Sequence, residues 1–339
     1  MTAGAQPAGA RPAPRDRPRP PAATLRAVAY RHGAWSDLEA LAGTEGVTPA
    51  SLQDLQRGGL RRYSVLEGGL REVYVDCVGE TLARAAIDPA DVDAVVYFST
   101  SLSHAEEHDV AQVCRALGMR HALPFSSFLG ECTNYSSALT VALSLIGTLG
   151  VRTVVLIGAD SVGGTPVSRV LERNVSVFSD AVTSCVVQAG DVGDGYLIEG
   201  VSHRFDAELV GLTAEDDLLA LLDRFAAAMG WVCADVRATS GWGSADVDHL
   251  VLPNLGVSAL RNYAAVARVP FARVPTGNIG RFGHCFACDQ LITLETLVDE
   301  DAVAPGDRVM VLGVGGNYLF SALALRRLGP AHAGGGPPR

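Results

Sequence analysis

Short, nearly unbroken apolar runs punctuate this chain, with helix-spaced stretches and polar turns between them. Residues 151–158 and 309–313 are rich in Val, Leu and Ile, and runs of that kind read as strands buried on both faces. Residues 136–147 are small, apolar and helix-favouring. The most apolar stretch, 138–159, approaches bilayer-spanning length, but Gly147, Gly150, Arg152 and Thr153 interrupt it midway. A buried helix, a turn and a strand are therefore expected there.

Two pairs of segments echo each other. Asp91-Val92-Asp93-Ala94-Val95-Val96 matches Asp246-Val247-Asp248-His249-Leu250-Val251, and Val154-Val155-Leu156-Ile157-Gly158 matches Val309-Met310-Val311-Leu312-Gly313. Both pairs share an offset of 155 residues (91 to 246, 158 to 313), which predicts a duplicated unit of that length. Each copy reads strand, helix, strand, so an α/β fold is expected, with a parallel-type sheet covered by helices on both faces. The halves are expected at 24–200 and 201–328, between a disordered lead-in at 1–23 and a disordered tail at 329–339. The lead-in is rich in Ala, Pro and Arg and lacks the apolar centre of a secretory signal.

The chemistry gathers at Cys132, in Phe128-Leu129-Gly130-Glu131-Cys132-Thr133-Asn134. A cysteine at the first turn of a buried helix meets free N–H groups and the positive end of the helix dipole, which predicts a lowered thiol pKa. A small buried core cysteine is the competing reading. The repeat offset carries position 132 to Ala287, within Gly283-His284-Cys285-Phe286-Ala287-Cys288-Asp289, so it places His284 opposite Cys132 as a candidate base. Asn254 follows the strand-like run 249–252, at a carboxyl end where such sheets bind ligands, and its amide is a candidate donor to a substrate carbonyl or a water. The turn Gly313-Val314-Gly315-Gly316-Asn317 lets backbone approach closely, so the N–H groups of Gly316 and Cys132 are a candidate oxyanion hole.

Several other readings are excluded. Cys285 and Cys288 form a C-x2-C, but no second Cys/His pair with zinc spacing accompanies them, so no metal site is expected. The glycine turn ends the fold with no helix and acidic partner after it, so it is not a dinucleotide fingerprint. His104 and His108 flank Glu106 and Glu107 in a polar stretch that reads as solvated, and Gly277-Asn278 reads as a structural turn. The seven cysteines have no regular spacing, which points to reduced thiols and a cytoplasmic setting. All 27 basic residues are arginine, and the net charge of -10 argues against nucleic acid as the main partner. No membrane association is expected.

Taken together these segments resemble β-ketoacyl-ACP synthase III-type condensing enzymes of the thiolase superfamily, over about residues 41–327. The carrying motifs are Gly59-Leu60-Arg61-Arg62, residues 95–101 ending in Ser-Thr-Ser, the Cys132 segment and Phe178-Ser179-Asp180-Ala181. Leu252-Pro253-Asn254, Gly283-His284 and Val314-Gly315-Gly316-Asn317 complete them. The resemblance implies a five-layered αβαβα fold of two duplicated halves, a homodimer, and an acyl group carried covalently on Cys132. It also implies a coenzyme A or carrier-protein phosphopantetheine thioester as substrate, no permanently bound cofactor, and a coenzyme A-binding role for Arg57. In the family the proline-led motif carries histidine and the later glycine-led motif asparagine. Here Asn254 comes first and His284 later, the order of degradative thiolases, whose second catalytic cysteine is absent from this glycine turn. Gln53 stands near the place of a tryptophan that stacks on coenzyme A, and the stretch 205–247 is short for the family.

Three functions follow from this reading. One is acyl transfer from a thioester through Cys132 to a hydroxyl, amine or carbon acceptor, in specialised metabolite, polyketide or fatty acid biosynthesis. The second is decarboxylative condensation with a malonyl thioester, and the third a non-catalytic partner subunit of a condensing enzyme.

Overall fold

The computed structural model describes residues 20–44, 47–101, 104–163, 168–171, 174–212 and 214–329. Residues 1–19 and 330–339, within the segments expected to be disordered, lie outside the described residues, as do the side chains of His104 and His108. Ala23, assigned to the lead-in by sequence, is buried and opens the first strand.

The first half contains β1 (Ala23–His32), β2 (Ala34–Asp37), α1 (Pro49–Arg57), β3 (Arg62–Val65), α2 (Arg71–Ala85) and β4 (Ala94–Phe98). It continues with α3 (His104–Leu117), β5 (Leu123–Ser127), α4 (Asn134–Leu149), β6 (Thr153–Asp160) and β7 (Ala181–Ala189). Then follow β8 (Gly195–Phe205), α5 (Ala214–Ser240), β9 (His249–Val251), α6 (Val257–Ala267), α7 (Gly277–Phe282), α8 (Asp289–Asp299), β10 (Arg308–Val314) and β11 (Leu319–Leu328). The boundary expected at 200/201 falls inside β8.

Strands other than β2 and β3 form one nine-stranded sheet in the order β5-β4-β6-β7-β1-β8-β11-β10-β9. Its two halves meet where β1 pairs with β8 at Thr24–Leu197 and Leu25–Tyr196. The expected parallel sheet is in fact mixed. Strands β4, β5 and β6 run parallel, as do β9 and β10, while β7, β1, β8 and β11 pair antiparallel. The connection from β10 to β11 shows why: a turn of a few residues joins a hairpin, whereas a parallel neighbour needs a crossover of a dozen or so residues.

Alternation of side chains sorts the sheet into layers. In the first half Val95, Tyr97, Val155 and Ile157 point outward onto Tyr74, Val78, Leu82 and Val113 of α2 and α3. Val96, Phe98, Val154 and Leu156 point inward onto Leu139 and Ala142 of α4, and Val309, Val311, Leu323 and Leu325 meet Leu291 and Ile292 of α8 from the other side. Met310, Leu312, Phe320 and Ala322 then face Met229, Val232 and Val236 of α5 and Leu260 of α6. Helices α4 and α8 are thus clamped between the two halves of the sheet, whose outer faces are covered by helices, giving five αβαβα layers.

The duplication holds in detail. A shift of 155 residues takes α4, starting at Asn134, to α8, starting at Asp289, and the 3-10 turn Glu131–Thr133 to Phe286–Cys288. Glu131 and its counterpart Phe286 both adopt left-handed backbone, at φ 48° and 52°.

Candidate active site

The pseudo-symmetry brings the starts of α4 and α8 together at the centre of the molecule. Cys132 lies in the 3-10 turn directly ahead of α4 and is half-buried. Its Sγ stands 3.4 Å from His284 Nε2. The His284 backbone is fixed by a parallel bridge to residues 177–179: its N–H donates to Val177 O at 2.8 Å, and its carbonyl accepts from Ser179 N at 2.9 Å. Gly283 makes this approach possible, because at φ 65° a Cβ there would fall 3.0 Å from Val177 O and 2.9 Å from Ser179 Oγ.

His284 Nδ1 is hydrogen-bonded to Asp289 Oδ2, completing a Cys132–His284–Asp289 relay. Asp289 is fully buried. It also accepts from Asn254 N at 2.7 Å, Asn254 Nδ2 at 3.2 Å and Cys285 N at 2.7 Å. The buried charge is therefore hydrogen-bonded on both oxygens, the condition under which it is tolerated.

Sequence reasoning brought Cys132, His284 and Asn254 to one place, and the structure joins them. It missed Asp289. The signal was present in the repeat: Asn134, which accepts from Gly130 N at 2.9 Å and donates to Ser99 O at 2.8 Å, maps by the same offset onto Asp289, as Gly130 maps onto Cys285 and Ser99 onto Asn254. Asn254 also differs from expectation, since its backbone and side-chain N–H groups serve Asp289.

The lowered thiol pKa expected from the helix start is not found. Burial pushes the Cys132 thiol up, with the charge of His284 pulling against it. Burial also opposes charge on His284, but Asp289 and Cys132 outweigh it and raise the imidazole to about 10. The two groups titrate as one coupled pair: with the shared proton on Nε2 rather than Sγ, a thiolate lies beside an imidazolium that Asp289 stabilises.

The glycine turn packs on the nucleophile loop. A Cβ at Gly315 would lie 2.6 Å from Gly130 O, Asn317 Nδ2 donates to Leu129 O, and Asn317 N donates to Glu131 Oε2 at 3.0 Å. Gly316 and Cys132 thus lie on neighbouring segments. Phe178, Phe286 and Val162 form an apolar cluster against Cys132, with the Phe178 and Phe286 rings stacked at 4.2 Å. Arg57 stands apart, exposed at the end of α1 and paired with Asp54. Gly277-Asn278 opens α7 and is not a free turn. Asn278 is buried and donates to Thr293 Oγ1 and Thr296 Oγ1. Among the described residues no cluster of His, Cys, Asp and Glu could hold a metal.

Comparison with known proteins agrees with this architecture. Residues 238–327 match the family model described as 3-oxoacyl-[acyl-carrier-protein] synthase III C terminal. A β-ketoacyl-[acyl-carrier-protein] synthase III from Streptomyces coelicolor is 27% identical over 296 residues, covering 78% of this chain and 85% of the relative. One from Allorhizobium ampelinum is 23% identical over 78% of this chain and 90% of the relative. The acyltransferase ChlB3 superposes with a TM-score of 0.80 at 18% identity, covering 92% of this chain and 99% of ChlB3. The synthase III of Pseudomonas aeruginosa superposes at 0.76 with 22% identity, covering 91% and 98%. The chain is thus similar in sequence to synthase III proteins and shares the fold of these solved acyltransferase and synthase III structures.

Proposed function

We propose that the protein takes an acyl group from a coenzyme A or carrier-protein thioester onto Cys132 and passes it to an acceptor hydroxyl or amine. The Cys132 thiolate attacks the thioester carbonyl, and the oxyanion is held by the N–H groups of Cys132 and Gly316. The leaving thiolate takes its proton from His284. The now neutral His284 accepts the acceptor's proton as the C–S bond to Cys132 breaks. No permanently bound cofactor is required, and Arg57, exposed on α1, is offered as a contact for the thioester's coenzyme A portion.

The observation that carries the choice of transfer over condensation is the engagement of Asn254. Decarboxylative condensation needs two donors aimed at a developing enolate oxygen, and here Asn254 is turned toward Asp289, to which its backbone N–H and one of its two amide N–H groups donate. The Asn254–His284 pair acts in this reading as a support for one base, not as two enolate donors. Incubation with an acyl thioester and carboxyl-labelled malonyl thioester tests it. Acylated Cys132 without label release as carbon dioxide is expected, whereas stoichiometric carbon dioxide release would establish condensation.

The same reading makes the enzyme a cytoplasmic homodimer of two-halved subunits. All seven cysteines are free thiols, and no described helix is long and apolar enough to cross a membrane. Strand β5 is an open sheet edge with Leu123 and Phe125 exposed, followed by exposed Phe128 and Leu129. Such an edge is a ready site for pairing with a second copy.

A further inference from the structure

The residue before the nucleophile carries a charge that the fold does not demand. Glu131 and Phe286 share one left-handed corner in the two halves, at φ 48° and 52°. One half fills the corner with an aromatic ring that packs on Phe178, and the other with a carboxylate. Glu131 reaches the glycine turn: its Oε2 accepts the Asn317 N–H at 3.0 Å and lies 2.6 Å from where a Cβ on Gly316 would stand. Glu131 is part-accessible and Gly316 exposed, so the carboxylate lies between the nucleophile loop and the turn within reach of solvent. Among the described residues no arginine or histidine forms a salt bridge with it, whereas Asp289 is paired with His284.

We infer that Glu131 selects the acceptor by charge, favouring a neutral or cationic nucleophile, an alcohol or an amine, over an anionic one such as a malonyl thioester. Like charges close together in a partly desolvated site repel strongly, so an anionic acceptor approaches at a cost that a cation does not bear. This rests on acyl transfer through Cys132 as set out above. The acceptor's N or O bonds to the acyl carbonyl carbon, its proton passes to His284, and Cys132 leaves as thiolate. Glu131 takes no proton; its part is to set the field that the acceptor meets.

The test uses the full-length protein loaded with an acyl group on Cys132, with discharge followed by intact mass. Two acceptors of equal length are compared, 1,4-diaminobutane and 4-aminobutanoate, which share the attacking amine and differ in the remote charge. Wild type is expected to discharge faster with the diamine, and Glu131→Gln to shift the ratio at least tenfold toward the amino acid. Gln keeps an oxygen for the Asn317 N–H, so the clasp on the turn persists while the charge is removed. An unchanged ratio in E131Q, a shift seen only in E131A, or discharge by neither amine would overturn the inference. Failure of wild type to load at Cys132 would instead sink the reading on which it rests.

Discussion

Asp289 holds His284 by the ring nitrogen that faces away from Cys132, and it does so from the first residue of α8, five positions along the chain. One nitrogen of the imidazole thus faces the Cys132 thiol while the other is fixed by a buried carboxylate. Asp289→Asn keeps the size and removes the charge that raises His284. It is expected to slow acylation of Cys132 by up to about 10⁴-fold, the loss seen when the orienting carboxylate of a catalytic triad is replaced by its amide. Rapid-quench intact mass measures this, and a rate within threefold of wild type would contradict the role.

The raised His284 also links folding to pH. Its folded pKa of about 10 lies above the ordinary 6.5. The charged ring therefore stabilises the fold fully below about pH 6.5, and that contribution is lost as pH rises through about 10. The difference in melting temperature between wild type and His284→Gln is expected to be largest near pH 6 and to narrow steadily toward pH 10. A difference that grows over that interval would refute the assignment.

Asp160 gives a second pH signature with a different origin. Burial raises its carboxyl from 3.8 to about 7, despite hydrogen bonds from Ser99, Thr100 and Ser101. Those bonds all reach Oδ1, and Oδ2 has no partner among the described residues. A carboxyl whose folded pKa is raised favours the fold at low pH, and this contribution is lost as pH rises from about 4 through 7. Asp160→Asn retains the oxygen acceptor, so it is expected to match or exceed wild-type stability at pH 8 and to fall behind at pH 5. Urea midpoints at the two pH values check this.

Gly315 tests the contact between the glycine turn and the nucleophile loop. An added Cβ would meet Gly130 O at 2.6 Å and Asn317 Oδ1 at 2.8 Å, and the backbone carbonyl cannot swing aside. Gly315→Ala is expected to cost about 1–3 kcal/mol, as overpacking does, and to slow acylation at least tenfold. Gly277→Ala, with nothing within 4 Å of its Cβ, serves as the comparison and is expected to leave both unchanged.

Much of this was legible because the chain repeats itself. The offset drawn from two strands also relates both 3-10 turns, both central helices and the left-handed pair Glu131 and Phe286. The same offset places His284 opposite Cys132. Asp289 escaped because it was read as the end of the His284 segment and not as the partner of Asn134. The antiparallel strands escaped because buried strands read the same in either direction. The thiol's pKa escaped because a helix start is visible in sequence, whereas the burial that outweighs it is set by Phe178, Val162 and Phe286 arriving from distant segments.

The central claim is that Cys132 carries the acyl group. Intact-protein mass spectrometry after incubation with a panel of acyl thioesters, followed by peptide mapping, tests it most directly. A single acyl adduct on the Cys132 peptide is expected, absent in Cys132→Ala and strongly slowed in His284→Ala. An adduct that persists in Cys132→Ala, or none across the panel, would contradict the account.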